Sequence, residues 1–111
     1  MKINYIYAIG CESGPIKIGI TNSLFSRLSS LQTGSFLQLW LLYAMPCIDR
    51  DHALKHEKII HDVLEENKII GEWFNLTAPE AIEAIQTSFQ IEEYQNHTQI
   101  FAKINKPVVL Q

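Results

Sequence analysis

Apolar and polar positions alternate from the start of the chain. In Tyr5-Ile6-Tyr7-Ala8 a period of two sets Ile6 and Ala8 on one face and both tyrosines on the other. In Ile16-Lys17-Ile18-Gly19-Ile20 it sets three isoleucines against Lys17 and Gly19. A stretch containing Gly and Ser joins the two runs, which together read as a β-hairpin. The period then changes. Thr21-Asn22-Ser23 offers N-cap residues ahead of Leu24, Leu28 and Leu31 at helical spacing, and Gly34 marks the stop. Residues 36–45, FLQLWLLYAM, form an apolar run that reads as a strand buried on both faces, closed by Pro46. Asp49 or Asp51 can cap a second helix, HALKHEKIIHDVLEENK, reaching about Lys68. Gly71 ends that unit, and EWFNL is short, extended or irregular. Thr77 at N-cap with Pro79 in the first turn starts a third helix, with Ile82, Ile85 and Phe89 on one face. Beyond Glu93 the pattern weakens, and YQNHTQIFAKINKPVVLQ reads as more helix, a late strand or a docked tail.

This order predicts an α/β (α+β) domain, a small three-stranded antiparallel sheet flanked by helices, over residues 1–93, with 94–111 as a C-terminal extension. A chain of 111 residues, 47% hydrophobic and 19% charged, suits one folded domain. No run approaches the roughly 18 apolar residues of a membrane span, and Met1-Lys2-Ile3-Asn4 does not read as a signal peptide. Cys11 and Cys47 make neither a disulfide framework nor a zinc ligand set, so the expected location is the reducing cytoplasm. A formal net charge of −3 argues against coating nucleic acid by bulk electrostatics, though not against a local basic cleft.

Four polar residues alter this picture. With a hairpin loop of about five residues, Tyr7 is expected opposite Lys17 and Tyr5 opposite Gly19, and the missing side chain of Gly19 opens a groove beside the tyrosines. A surface Tyr–Lys cross-strand pair with a bulge glycine explains the same residues without function. Arg27 falls between Leu24 and Leu31 at the rim of the first helix's apolar stripe, and Glu57 shares the second helix's stripe with Ala53, Leu54 and Leu64. Charges so placed are costly unless paired, metal-bound or lining a wet cleft. Taken singly, Arg27 can snorkel and Glu57 can pair with Lys58 or Lys17. Taken together, a Tyr, a Lys, an Arg and a Glu aimed at one side of one sheet suit metal-assisted phosphodiester cleavage.

The same residues resemble the GIY-YIG nuclease superfamily, in particular its compact phage and bacterial branch with KIG as second motif. YIY at 5–7 matches the first motif and KIG at 17–19 the second. Arg27 follows Gly19 at the motif's distance, Glu57 with His61 matches the acidic helix, and GEWF at 71–74 matches the closing segment. The chain departs from the name-giving motifs at Tyr5, where they have glycine, and at Lys17, where they have tyrosine. The resemblance implies that Tyr7 acts as general base or orients the attacking water. Lys17 would stand near the nucleophile or hold a phosphate, lowering the phenol's pKa, and Arg27 would stabilise charge on the scissile phosphate. Glu57 would ligate one Mg2+ (or Mn2+) ion. His61 would hydrogen-bond Glu57 or touch phosphate, with a partly buried helix histidine as the alternative. Tyr5, Gly19 and Asn75 would serve as weaker substrate contacts.

The function expected is therefore a metal-dependent endonuclease with DNA favoured over RNA. The alternative is a catalytically weak nucleic-acid-binding or accessory module that keeps the fold. Apolar positions in 94–111 (Ile100, Phe101, Ile104, Val108, Val109) read as an assembly segment for a homodimer or protein partner, against the alternative that they pack on their own domain. HEKIIH is not a zincin motif, because His56 and His61 are five apart. His52 and His56 have i, i+4 spacing, but no third ligand on a second element is evident, so zinc is not expected. Trp40, Trp73 and Phe74 read as core or groove wall, and Glu65-Glu66 and Glu92-Glu93 as solvated faces.

Overall fold

Alternation in the first twenty residues becomes the hairpin β1 (Asn4–Gly10) and β2 (Ile16–Thr21), followed by α1 (Leu24–Thr33), β3 (Trp40–Cys47) and α2 (Arg50–Val63). Then come β4 (Lys68–Ile70), β5 (Trp73–Phe74) and α3 (Ala78–Val109). The computed structural model describes residues 2–11 and 14–109, with side chains described through residue 93. No helix among these residues is long and apolar enough to cross a membrane.

The strands form one five-stranded antiparallel sheet in the order β3-β1-β2-β5-β4. The fold class is the expected α+β, but the sheet has two strands more than predicted. Helix α2 stops at Val63, a 3-10 turn covers Glu65–Asn67, and the residues from Lys68 extend into β4. Gly71, at φ +57°, then reverses the chain into β5, a backbone conformation that costs glycine little. Strand β3 is also corrected. Expected to be buried on both faces, it lies at the sheet edge with Trp40 54% and Leu41 40% exposed.

Helix starts follow local chemistry. The Asp49 carboxylate accepts from the His52 backbone N–H at 2.8 Å, so Asp49 rather than Asp51 caps α2. At α3 the Glu80 N–H donates to Thr77 Oγ1 (3.3 Å) and the Thr77 N–H to Glu80 Oε1 (2.9 Å), a reciprocal capping box. Helix α3 continues through residue 94 without a break. The predicted assembly role of the apolar positions in 94–111 concerns side chains outside the described residues.

Two cores sandwich the sheet. Ile6, Ala8, Ile16, Ile18 and Phe74 pack with Ala53 and Ile60 of α2, with Leu64 just beyond its end, and with Ala81 and Ile85 of α3. Tyr7, Ile9 and Leu39 pack with Leu24, Leu28 and Leu31 of α1. Helices α1 and α2 therefore cover opposite faces, and Arg27 and Glu57 do not approach from one side as expected. A helical wheel shows which residues face the sheet but carries no information about which side of the sheet the helix occupies.

Candidate active site

The hairpin register sets the floor of the site. The ladder pairs Tyr7 with Gly19, Tyr5 with Thr21 and Ile9 with Lys17. This corrects the expected pairing of Tyr7 with Lys17 and Tyr5 with Gly19 by two positions, because β1 extends through Gly10 before the chain turns. A shift of two keeps every side chain on its face. Tyr7 now lies over the glycine itself. A Cβ at Gly19 would stand 2.6 Å from Tyr7 Oη and 2.9 Å from Glu72 Oε1, so only a residue without a side chain permits both groups to meet there.

Arg27 enters from α1, where its Nε–H donates to Tyr7 Oη at 2.9 Å. Burial pushes the Tyr7 phenol up. The Arg27 bond and charge pull it back, and Glu72 and Glu57 push it further up. The expectation that Lys17 lowers this phenol is overturned: the cation that acts on Tyr7 is Arg27, because Lys17 stands opposite Ile9. Lys17 Nζ instead forms an ion pair with Glu72 Oε1 at 3.2 Å and lies 5.5 Å from the centre of the Trp73 ring.

Glu57 reaches the site from the other side of the sheet. Strand β5 pairs with β2 only at Ile16 and Lys17, and the Ile18 N–H then donates to the Glu72 carbonyl at 3.0 Å. From Gly19 onward β2 is paired on one side only, and the Glu57 carboxyl meets Glu72 at this notch. Glu57 Oε2 is buried, and as a carboxylate it has no hydrogen-bond donor. The Glu57 carboxyl is pushed up to about 7, first by burial, then by the Glu72 charge and by a hydrogen bond to Glu72. Arg50 and Lys17 oppose that shift. The bond to Glu72 exists only while a proton sits between the two carboxyls, which is why it favours the neutral form.

The remaining predicted residues lie apart from this meeting point. His61 donates its Nε2–H to the Ile18 carbonyl at 2.9 Å and sets its ring edge-on to Phe74 at 4.8 Å. It thus anchors β2 to α2 rather than bonding Glu57. Asn75 is exposed, its backbone N–H bound to the Asn67 carbonyl at 2.8 Å. It lies three residues past Glu72 along β5, in the direction away from Gly19. Tyr5 shares the face of Tyr7 but is displaced by two residues toward Thr21.

Glu72 is the functional candidate that pattern reading missed. Only the segment GEWF drew notice, and the tight turn at Gly71 is what aims this carboxylate back over β2. The arrangement places a phenol, a guanidinium, an ammonium and two carboxyls around a backbone with no side chain of its own. Such a set can bind an oxygen-ligating cation at one end and an anion at the other.

The profile of the T5orf172 domain family matches residues 3–90, and the chain belongs to that family, which occurs in some phage and bacterial endonuclease-like proteins. No curated protein and no solved structure gives a significant match. The matched span contains Tyr7, Lys17, Gly19, Arg27, Glu57, His61 and Glu72.

Proposed function

We propose that this protein is a metal-dependent endonuclease of the GIY-YIG type, hydrolysing phosphodiester bonds in DNA in preference to RNA. The observation that supports it most is the meeting of the Tyr7 hydroxyl, the Arg27 guanidinium and the Glu57–Glu72 pair around Gly19. Membership of a family found in endonuclease-like proteins agrees with it.

The residues present fit a hard divalent cation. Glu57 Oε2 is a buried oxygen without a donor, and a second carboxylate stands beside it. Glu57, with Glu72 as neighbour, would hold Mg2+ (or Mn2+), which when bound supplies positive charge to the phosphate oxygens and loosens a proton from water. Tyr7 orients the attacking water through its hydroxyl. In the free protein, burial and the two carboxylates keep this phenol protonated, and neutralising those carboxylates brings it closer to acting as a base. Arg27 uses Nε–H on Tyr7, which leaves its other N–H groups to meet charge growing on the scissile phosphate. Lys17 passes from Glu72 to phosphate as substrate enters. His61 positions β2 through the Ile18 carbonyl.

A second reading is a binding or accessory module that retains the fold and cuts poorly. A carboxyl that holds its proton to about neutrality, and a net charge of −3, favour that rival. The two separate on supercoiled plasmid and on structured RNA, each incubated with Mg2+, with Mn2+ or with chelator, wild type beside Glu57→Ala. Metal-dependent nicking of plasmid that the variant lacks supports the nuclease. Retarded migration without any product supports the rival.

A further inference from the structure

Away from that site, the first half of α2 and the middle of α3 bring two histidines and a glutamate to one point. Glu93 is exposed as expected, but Glu92 turns inward. His52 Nε2 lies 2.8 Å from Glu92 Oε1, and His56 Nε2 lies 3.2 Å from Glu92 Oε2. The three donor atoms all stand within 4.8 Å of one another. The i, i+4 histidine pair, which lacks an evident partner along the chain, thus receives its third ligand from a second helix.

Hydrogen bonds decide what His56 offers. Ser88 Oγ donates to the Ile85 carbonyl at 2.8 Å, so its proton is committed and it accepts from His56 Nδ1–H at 3.0 Å. Neutral His56 then carries its lone pair on Nε2, an atom that is buried and without a hydrogen-bond partner. That lone pair faces a carboxylate oxygen, and two electron-rich atoms so close call for a proton or a metal ion between them. An N–H on the far ring nitrogen tied to a protein acceptor is also how metal-binding histidines are oriented. Phe89 stacks flat on His56, with centroids 3.8 Å apart and planes 5° apart, and meets His52 edge-on at 5.7 Å, so both rings are held.

We propose that His52, His56 and Glu92 form a zinc site that fastens α3 to α2, with its fourth position left to water. Two imidazoles and one carboxylate are a donor set that takes zinc over magnesium or calcium. Tetrahedral bonds of about 2.0–2.2 Å set donors roughly 3.3 Å apart. The two histidine–glutamate distances are within about half an ångström of that spacing. His52 must adjust most: its Nδ1 accepts from the Ile48 N–H at 3.1 Å, which leaves the ring proton on Nε2. Ligation through Nε2 moves that proton to Nδ1 and releases the Ile48 N–H to water on an exposed bend. Lys55 Nζ, 3.3 Å from Glu92 Oε2 and largely exposed, swings into solvent as the ion takes its place.

The test uses the full chain stripped with chelator, titrated with Zn2+ by calorimetry and with Co2+ by visible absorption. One equivalent of Zn2+ should bind, Co2+ should show the intense bands of a four-coordinate ion, and Zn2+ but not Mg2+ should raise the melting temperature of Glu57→Gln, which lacks the other site. Glu92→Gln and His52→Ala should each weaken Zn2+ binding at least about tenfold, and Ser88→Ala should weaken it about tenfold by releasing His56. Glu57→Gln, in the other site, should leave it unchanged. Neither Glu92 nor His52 is fully buried, so these variants carry the test even where a change at His56 prevents folding. The proposal is overturned if the intact chain takes up no Zn2+ and gives no cobalt bands. It is equally overturned if Glu92→Gln binds Zn2+ as tightly as wild type, or if Glu57→Gln abolishes the binding.

Discussion

Tyr7 and Gly19 are direct cross-strand partners, and the phenol occupies the space that a side chain at position 19 would need. A β-carbon there would meet Tyr7 Oη at 2.6 Å and Glu72 Oε1 at 2.9 Å. The Gly19→Ala change should therefore displace both groups together. The expected result is a loss of about 1–3 kcal/mol of stability in urea denaturation, with nuclease activity falling more steeply than the folded fraction. Full activity in Gly19→Ala would show that Tyr7 and Glu72 need not meet.

Glu57 makes stability fall as pH rises. Its folded-state pKa, about 7, lies above the ordinary carboxyl value, so the folded chain binds the extra proton. That contribution is complete below about pH 4 and is lost as pH climbs through about 7. His56, pushed down mainly by burial, acts with the opposite sign over part of this range. The comparison is therefore the difference between wild type and Glu57→Gln without divalent metal. Melting temperatures should diverge between pH 5 and pH 8, with the glutamine variant losing less. Parallel curves would contradict the placement of Glu57.

His61 holds β2 in place. Its Nε2–H satisfies the Ile18 carbonyl, one residue before Gly19. Replacement by leucine leaves that carbonyl unpaired and should cost about 1–3 kcal/mol, seen in chemical denaturation. His61→Gln, which can still donate, should recover much of it. If His61→Leu is as stable as wild type but cuts poorly, the histidine touches the substrate after all.

Nucleic-acid binding should depend only shallowly on salt. Nine basic side chains face twelve acidic ones across the whole chain, and in the free protein Lys17 is already paired with Glu72. With only Lys17, Arg27, Arg50, Lys55 and Lys58 as candidates, three or four phosphate contacts give a log–log slope near −3, at about −0.9 for each contact. Fluorescence anisotropy on a short duplex between 50 and 200 mM salt measures it. A slope steeper than about −6 would call for more phosphate contacts than these five side chains can make.

Much of the fold was legible because its signals are local. Alternation in β1 and β2, the leucine spacing of α1, and the caps at Asp49 and Thr77 all act within a few residues, and each appears where the pattern puts it. Three features escaped for physical reasons. Strands of three and two residues, β4 and β5, are too short to show a period. The apolar run around β3 reads as buried on both faces, yet it forms an edge strand where Trp40 and Leu41 remain exposed. Glu72 and Glu92 look like solvated acids along the chain and acquire partners only through the turn at Gly71 and the docking of α3. Tyr7, Lys17, Arg27 and Glu57 were readable as out-of-place polar residues. That Arg27 and Glu57 come from opposite sides of the sheet, around the free edge of β2, was not.

The central claim, that the Glu57 carboxyl serves chemistry beside Tyr7, is tested most directly by the single-turnover nicking rate of supercoiled plasmid at saturating Mg2+. Wild type is compared with Glu57→Gln, which keeps the shape of the side chain and its hydrogen bonding to Glu72. The account predicts a drop of at least about a hundredfold for Glu57→Gln with duplex binding and fold intact, a size typical of losing one group that stabilises transition-state charge. Equal rates for the two proteins, or no nicking by either, would contradict it.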